Sequence, residues 1–280
     1  MTFITRFAPS PTGPLHLGHA YSALLAQDMA DAEGGQVLLR IEDTDISRCR
    51  PEWEQKIFDD LDWLGLRWPQ PVLRQSEHLD HYNQTLMSLA DRELIYPCSC
   101  SRSDIRSALS APQEGVPLHS GIYPGSCRHR TLDSLQEGDA IRLNMARALQ
   151  EINPLQFTER GARHSGIHHL APARMIAEIG DAILGRKNIG TVSYVLASVI
   201  DDAAQNVTHI VRGEDLYQIT FLQVLLQAIL ELPTPTYNHH KLIRDDTGKR
   251  LAKRDDARAI CKYRSEGSTA QDIRRMVGLK

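Results

Sequence analysis

Residues Phe7 to His19 read Phe-Ala-Pro-Ser-Pro-Thr-Gly-Pro-Leu-His-Leu-Gly-His, and this loop constrains the chain more than any other stretch. It follows Thr2 to Arg6, which reads as a strand, and precedes Ala20 to Ala32, an unbroken run of helix-compatible residues. Its prolines fix φ and remove N–H donors, while its glycines let backbone come close to a ligand. The loop hands His16 and His19 to the first turn of a helix, where unpaired N–H groups and the helix dipole favour an anion. Taken alone, the segment also suits a proline-rich turn carrying two surface histidines.

The next segment makes the loop part of a larger unit. Val37 to Ile41 is apolar and β-compatible, and it runs straight into Glu42-Asp43-Thr44-Asp45. With Gly34-Gly35 ending the helix, the order is strand–helix–strand, the unit of a parallel sheet. Carboxylates just past a buried strand lie at the carboxyl end of such a sheet, where ligands bind. Helical spacing continues from Pro51 through Trp53, Ile57, Phe58, Leu61 and Leu64 to Gly65, and again from His78 to Leu94. These two helices read as scaffold.

From residue 97 to 172 the pattern changes: most cysteines lie here, residues 110–126 are rich in Pro, Gly, Ser and Gln, and periodicity is weak. The shift predicts an inserted subdomain, with Arg163 to His169 as a surface loop. Order returns with helices over Ala173 to Leu184 and Tyr194 to Ala204, a strand at Val207 to Val211 ending in Arg212-Gly213-Glu214-Asp215, and a helix over Leu216 to Leu230. The whole reads as a Rossmann-like α/β fold without a Gly-x-Gly-x-x-Gly fingerprint or a Walker A loop. Four regions are expected: 1–96 and 173–237 as halves of one domain, 97–172 as the insertion, and 238–280 as a C-terminal region with a helix at Ala270 to Val277.

Composition excludes other classes. No apolar run is long enough to span a membrane, and no secretory signal opens the chain. Five cysteines, an odd number, argue for reduced thiols and a cytoplasmic protein. The net charge of −3 hides an asymmetry: residues 241–280 hold 12 Lys+Arg and 6 Asp+Glu, so this region carries +6 on a body of −9. A basic region on an acidic body suits contact with a polyanion.

Three segments together carry a family resemblance. His16-Leu17-Gly18-His19 resembles the HIGH signature of class I aminoacyl-tRNA synthetases, and Arg6 to Gly13 resembles the glutamyl/glutaminyl branch. Gly248 to Arg254 resembles the KMSKS signature. Ile41 to Asp45, Ser193 to Ala197 with Ile200-Asp201-Asp202, and Val211 to Asp215 match the same branch in the same order. The resemblance implies a class I catalytic domain that activates glutamate with ATP and magnesium. It implies that His16, Gly18, His19 and Lys253 bind ATP, with both histidines and Lys253 acting in catalysis. It also implies that Arg6, Ala8, Ser10, Glu42, Tyr194 and Arg212 bind glutamate. Physical reasoning agrees: adenylation builds charge on phosphoryl oxygens, and glutamate needs cations for its carboxylates and an anion for its ammonium. Asp201 and Asp202 fit a site role and a purely structural role equally well.

Cys98-Ser99-Cys100, Tyr123 and Cys127 form a C-x-C…Y-x-x-x-C pattern. Three thiolates can close most of a tetrahedral zinc site, and on ligand chemistry alone His119 or His129 is the better fourth ligand. Similarity to short glutamyl-synthetase-like proteins implies Tyr123 instead. The KMSKS-like segment departs from the family in having Arg250 and Ala252, which predicts slower activation. Only about twenty-five residues follow it, too few for an anticodon-binding domain. The short relatives so resembled transfer glutamate to queuosine at the wobble position of tRNA(Asp), so the anticodon loop bearing queuosine is the expected partner of a monomer. The alternatives are a minimal enzyme acting on the acceptor end of tRNA, and a non-catalytic, zinc-stabilised RNA-binding protein.

Overall fold

The computed structural model describes residues 2–105, 122–150, 152, 154–186, 191–243 and 258–280. Strand β1 (Ile4–Phe7) leads through the proline-rich loop into helix α1 (Leu17–Ala32), and β2 (Gln36–Ile41) returns parallel to β1 with Arg6 opposite Leu38. Gly34 turns the chain at φ +61°, a conformation open to a residue without a Cβ. Helix α2 (Pro51–Trp63) starts on a proline at its first turn, where the missing N–H costs nothing, and β3 (Leu73–Arg74) pairs with β2. Helix α3 (Leu79–Ser88) buries Tyr82 and Leu86.

A second sheet of three antiparallel strands follows: β4 (Ile95–Cys98), β5 (Ala140–Leu143) and, much later, β8 (Ile183–Gly185). The expected insertion is interleaved with the main sheet. After the short helix α4 (Met145–Ala148), β6 (Gln156–Glu159) pairs in parallel with β10 (Thr236–His240), and β7 (Gly166–His169) lies antiparallel against β6. The stretch 97–172 thus feeds strands to the antiparallel sheet and to the sheet that holds β10.

Two sequence expectations need correction. Arg163 to His169 is not a loop: its second half is β7, and His168 Nδ1 shares a 2.9 Å hydrogen bond with the Tyr217 hydroxyl. Ala173 to Leu184 is not one helix, because α5 (Pro172–Glu178) stops and Ile183–Gly185 pairs with β5. Pairing with a distant strand overrides local helical preference there.

Three elements match the pattern closely, α6 (Tyr194–Ala204), β9 (His209–Gly213) and α7 (Tyr217–Ile229), while β10, parallel to β9, was not singled out in the sequence. Ile4 and Thr208 join the two parallel sheets: Ile4 N–H donates to Thr208 Oγ1, and Thr208 N–H donates to the Ile4 carbonyl, both at 2.9 Å. Helices α8 (Ile260–Ser265) and α9 (Ala270–Val277) close the described chain. Their Ile260 and Ile273 are fully buried with Leu15, Leu24, Ile41, Ile57 and Leu61 in one apolar core. A larger core on α3, α6 and α7 includes Tyr82, Leu196, Leu225 and Tyr237. Among the described residues no helix is long and apolar enough to cross a membrane.

Candidate functional site

Strands β1, β2, β9 and β10 run parallel, so their carboxyl ends share one edge, and α1 begins beside it. The histidines of the opening loop take up that start. His16 is the N-cap, its Nδ1 accepting the Gly18 N–H at 3.1 Å, while His19 Nδ1 accepts the His16 N–H at 3.2 Å. The rings stack with centroids 3.8 Å apart. A neutral imidazole whose Nδ1 accepts carries its proton on Nε2, so the cap sets both rings as Nε2–H donors at a helix N-terminus. Such an arrangement can hold phosphoryl oxygens.

Behind the loop lies a buried charged node. Arg6 Nε donates to Asp202 Oδ1 at 2.9 Å, and Arg40 NH1 donates to the same oxygen at 2.7 Å. Arg40 also reaches Gln205 Oε1 at 3.1 Å and Glu42 Oε1 at 3.4 Å. Asp201 accepts from Gln75 Nε2 and from the Tyr82 hydroxyl, each at 2.7 Å. Asp201 and Asp202 are therefore the inner support of the node. Burial pushes the Glu42 carboxyl up to about 7, against the pull of Arg40 and Arg6. A cation placed beside Glu42 would restore its ionised form.

Arg40 was not foreseen, although a lone arginine between Leu39 and Ile41 in an apolar strand was a usable signal. The other acids after β2 serve local structure. Asp43 accepts from the backbone N–H and hydroxyl of Ser76, and Asp45 accepts from Ser47 and Arg48. The loop residues Ala8 and Ser10 are half-buried, and the Pro9 carbonyl accepts the Glu42 N–H at 3.1 Å, tying that loop to the end of β2.

Arg212, on β9, is buried and held by Nε to His239 Nε2 at 3.0 Å and by NH2 to Thr220 Oγ1 at 2.7 Å. Its NH1 is buried with no hydrogen-bond partner among the described residues. A buried guanidinium nitrogen left unpaired is costly, so this atom suits an incoming carboxylate. Tyr194, the first residue of α6, lines a cleft with Arg48, Cys100, Arg142 and Arg186, and makes no hydrogen bond to the Arg6–Glu42 node among the described residues. Lys253 and its neighbours Arg250 and Ala252 lie outside the described residues.

On the antiparallel sheet, the Sγ atoms of Cys98, Cys100 and Cys127 all lie within 4.8 Å of one another. The Tyr123 Oη stands 3.4 Å from Cys98 Sγ and 3.6 Å from Cys100 Sγ, and accepts the Cys127 N–H at 2.9 Å. Thiolates about 2.3 Å from a tetrahedral ion stand roughly 3.8 Å apart, so these sulfurs fit a metal with little movement. His129 is exposed and lines a separate groove with Tyr96 and Arg130, and His119 lies outside the described residues. The Arg142 guanidinium covers the Tyr123 ring at 3.8 Å.

Comparison with known proteins adds an independent line. The family described as "tRNA synthetases class I (E and Q), catalytic domain" matches residues 2–280. A protein of Rhodobacter capsulatus named "Glutamyl-Q tRNA(Asp) synthetase" is 56% identical over 282 residues, covering 99% of this chain and 100% of that protein. One of the same name from Albidiferax ferrireducens is 38% identical, covering 92% of this chain and 86% of its own. The crystal structure of a glutamate tRNA ligase from Elizabethkingia meningosepticum, in complex with its amino acid, superposes with a TM-score of 0.76 at 27% identity. It covers 99% of this chain, which spans 60% of the length of that solved chain.

Proposed function

The chain belongs to the class I tRNA synthetases of the glutamate and glutamine branch, and from that premise we propose that it activates glutamate with ATP, without tRNA, and transfers the glutamyl group to queuosine in tRNA(Asp). The observation that carries this reading is the end-to-end match, at 56% identity, with a protein that bears the name of that activity.

In this reading each group has a role. A glutamate α-carboxylate oxygen attacks the α-phosphorus of ATP, and the bond to pyrophosphate breaks. The Nε2–H groups of His16 and His19 stabilise the phosphoryl oxygens, where charge builds. Arg212 NH1 takes the side-chain carboxylate, Glu42 the ammonium, and Arg6 with Ala8 and Ser10 frames the amino acid from the β1 side. Tyr194 adds a hydroxyl from α6. Magnesium enters with ATP as part of the substrate.

Lys253, with Gly18 at the start of α1, completes the ATP site as a point charge on the β and γ phosphates. In the second step a hydroxyl of the queuosine cyclopentenediol attacks the acyl carbon, AMP leaves and the hydroxyl proton is lost. Cys98, Cys100, Tyr123 and Cys127 would hold a structural zinc that braces the β4–β5–β8 sheet, and no chemical step passes through it. The partner is the queuosine-bearing anticodon loop of tRNA(Asp), met by a monomer in the cytoplasm.

The test is transfer of labelled glutamate to tRNA(Asp) with and without queuosine, beside tRNA(Glu). Label confined to queuosine-bearing tRNA(Asp) is expected. Equal labelling of the unmodified tRNA, or label on the acceptor end of tRNA(Glu), would replace this reading with that of a minimal glutamyl-tRNA synthetase.

A further inference from the structure

Arg212 is held from behind by two buried residues that neither the motifs nor the named relatives point to. We propose that Glu159 and His239 are positioning residues, which fix one imidazole tautomer so that it holds Arg212 for the side-chain carboxylate of an acidic amino acid; this rests on the glutamate-activating reading above.

The three residues lie on adjacent parallel strands, β6, β10 and β9, with His239 directly opposite Arg212. A guanidinium only donates, so His239 Nε2, 3.0 Å from Arg212 Nε, must present its lone pair. The imidazole proton then sits on Nδ1, which donates to Glu159 Oε2 at 2.5 Å. The other Glu159 oxygen accepts the Gly161 N–H at 2.6 Å and the His239 N–H at 2.9 Å. Gly161 is part of the fit: a Cβ there would lie 2.2 Å from the His239 carbonyl and 2.7 Å from Glu159 Oε1.

Charge balance points the same way. Burial, together with the Arg212 charge, outweighs Glu159 and holds the His239 pKa below its ordinary value. Burial pulls the Glu159 carboxyl up, but hydrogen bonds from the His239 ring and backbone outweigh it and hold it down. An ionised carboxylate therefore faces a neutral imidazole. Glu159 comes from β6, Arg212 from β9, His164 from the β6–β7 connection, and Tyr217 and Thr220 from α7. Among the described residues no carboxylate pairs directly with Arg212; its partners are the neutral imidazole, Thr220 Oγ1 and the Leu216 carbonyl. The missing counter-charge is what a ligand carboxylate brings to NH1.

The two residues act through the tautomer, which makes Glu159→Gln informative. Its amide oxygen still accepts from Gly161 and His239 N–H, but its NH2 faces Nδ1 and donates. The imidazole proton moves to Nε2, where it meets the Arg212 N–H donor to donor. In glutamate-dependent exchange of pyrophosphate into ATP, E159Q should raise KM for glutamate about tenfold, the loss of one charge-assisted hydrogen bond, with KM for ATP within about twofold. H239L should raise the glutamate KM likewise. H239Q, whose amide offers an acceptor to Arg212 and a donor to Glu159, should restore it to within about threefold. Imidazole ¹⁵N–¹H spectra should show His239 as the Nδ1–H form in the parent and the Nε2–H form in E159Q. An unchanged tautomer in E159Q, or an unchanged glutamate KM in an active enzyme, overturns the proposal. A parent protein inert towards glutamate overturns the functional reading instead, and the spectra still decide the tautomer.

Discussion

The backbone N–H of Ile260 donates to the carbonyl of Leu15 at 2.9 Å, and Ala259 bridges to His16 beside it. At the other end of the KMSKS-like segment, His240 Nε2 and Ser22 Oγ share a 2.7 Å hydrogen bond. His240 and Ile260, the one before and the other after the KMSKS-like segment in sequence, thus both lie against the start of α1. Two described segments far apart in sequence are thereby tied to the loop and helix that carry His16 and His19.

That anchor can be removed selectively. Ile260 is the first residue of α8, a position that tolerates proline, and Ala259 before it is already extended at φ −68° and ψ 147°. Ile260→Pro therefore loses the donor with little backbone change, while Ile260→Ala loses only buried side chain. Pyrophosphate exchange should fall about tenfold further in I260P than in I260A, in line with the sensitivity of reacting geometry to small misplacements. Equal rates in the two variants would show that the contact does not hold the loop for catalysis.

His16 caps α1 and, in the proposed mechanism, also donates to phosphate; a serine separates the two. Ser is a favoured N-cap, so His16→Ser should keep α1 and change unfolding free energy by less than about 1 kcal/mol. Without the Nε2–H donor, exchange should drop by about 10²–10³-fold. His19→Ala and Lys253→Ala should likewise abolish adenylate formation with the fold intact by circular dichroism. Near-parent exchange in any of the three would mean that the phosphate site lies elsewhere.

Asp60 gives a pH signature. It is 1% exposed, neither oxygen has a hydrogen-bond partner, and the nearest cation is Arg264 NH2 at 3.7 Å. Burial pushes its carboxyl up to about 6, with Arg264 pulling the other way. A carboxyl raised on folding stabilises most below its unfolded value, about 4, and that contribution is lost as pH rises through about 6. Asp60→Asn should therefore be more stable than the parent at pH 8 by about 1–2 kcal/mol, with the advantage largely gone by about pH 4. Calorimetry at both pH values decides it; a variant destabilised equally at both would contradict the sign.

The cysteine cluster predicts a local effect. The purified protein should carry one zinc per chain, and Cys100→Ser or chelation should remove it. Amide exchange should then quicken in Tyr96–Cys98 and Ala140–Leu143, while β1, β2, β9 and β10 keep their protection. A metal assay finding no zinc, or exchange that quickens across both sheets alike, would end the bracing role.

Much of the site could be read from local pattern. The strand, proline loop and helix at residues 4–32 appear because stiff loop residues and uninterrupted helix formers act within a few positions of each other. Tyr194–Ala204 and Ala270–Val277 emerged as helices with the expected bounds for the same reason. Cys98, Cys100 and Cys127 converge as their spacing suggested, and Tyr123 joins them as the family resemblance implied. Where the pattern failed, a distant partner decided: Ile183–Gly185 follows β5 and Gly166–His169 follows β6.

The sequence by itself determined which chemistry the chain can offer: two histidines at a helix start, arginines and a glutamate at strand ends, three thiols in a short span. Those choices are local, set by backbone torsion, side-chain type and spacing. Only the tertiary structure decided which groups touch. It placed Arg40 between Glu42 and Asp202, set Glu159 and His239 behind Arg212, and returned Ile260 to Leu15. Burial makes those pairings specific, since a charge removed from water must find its partner wherever the packing brings one, and no sequence spacing encodes that distance.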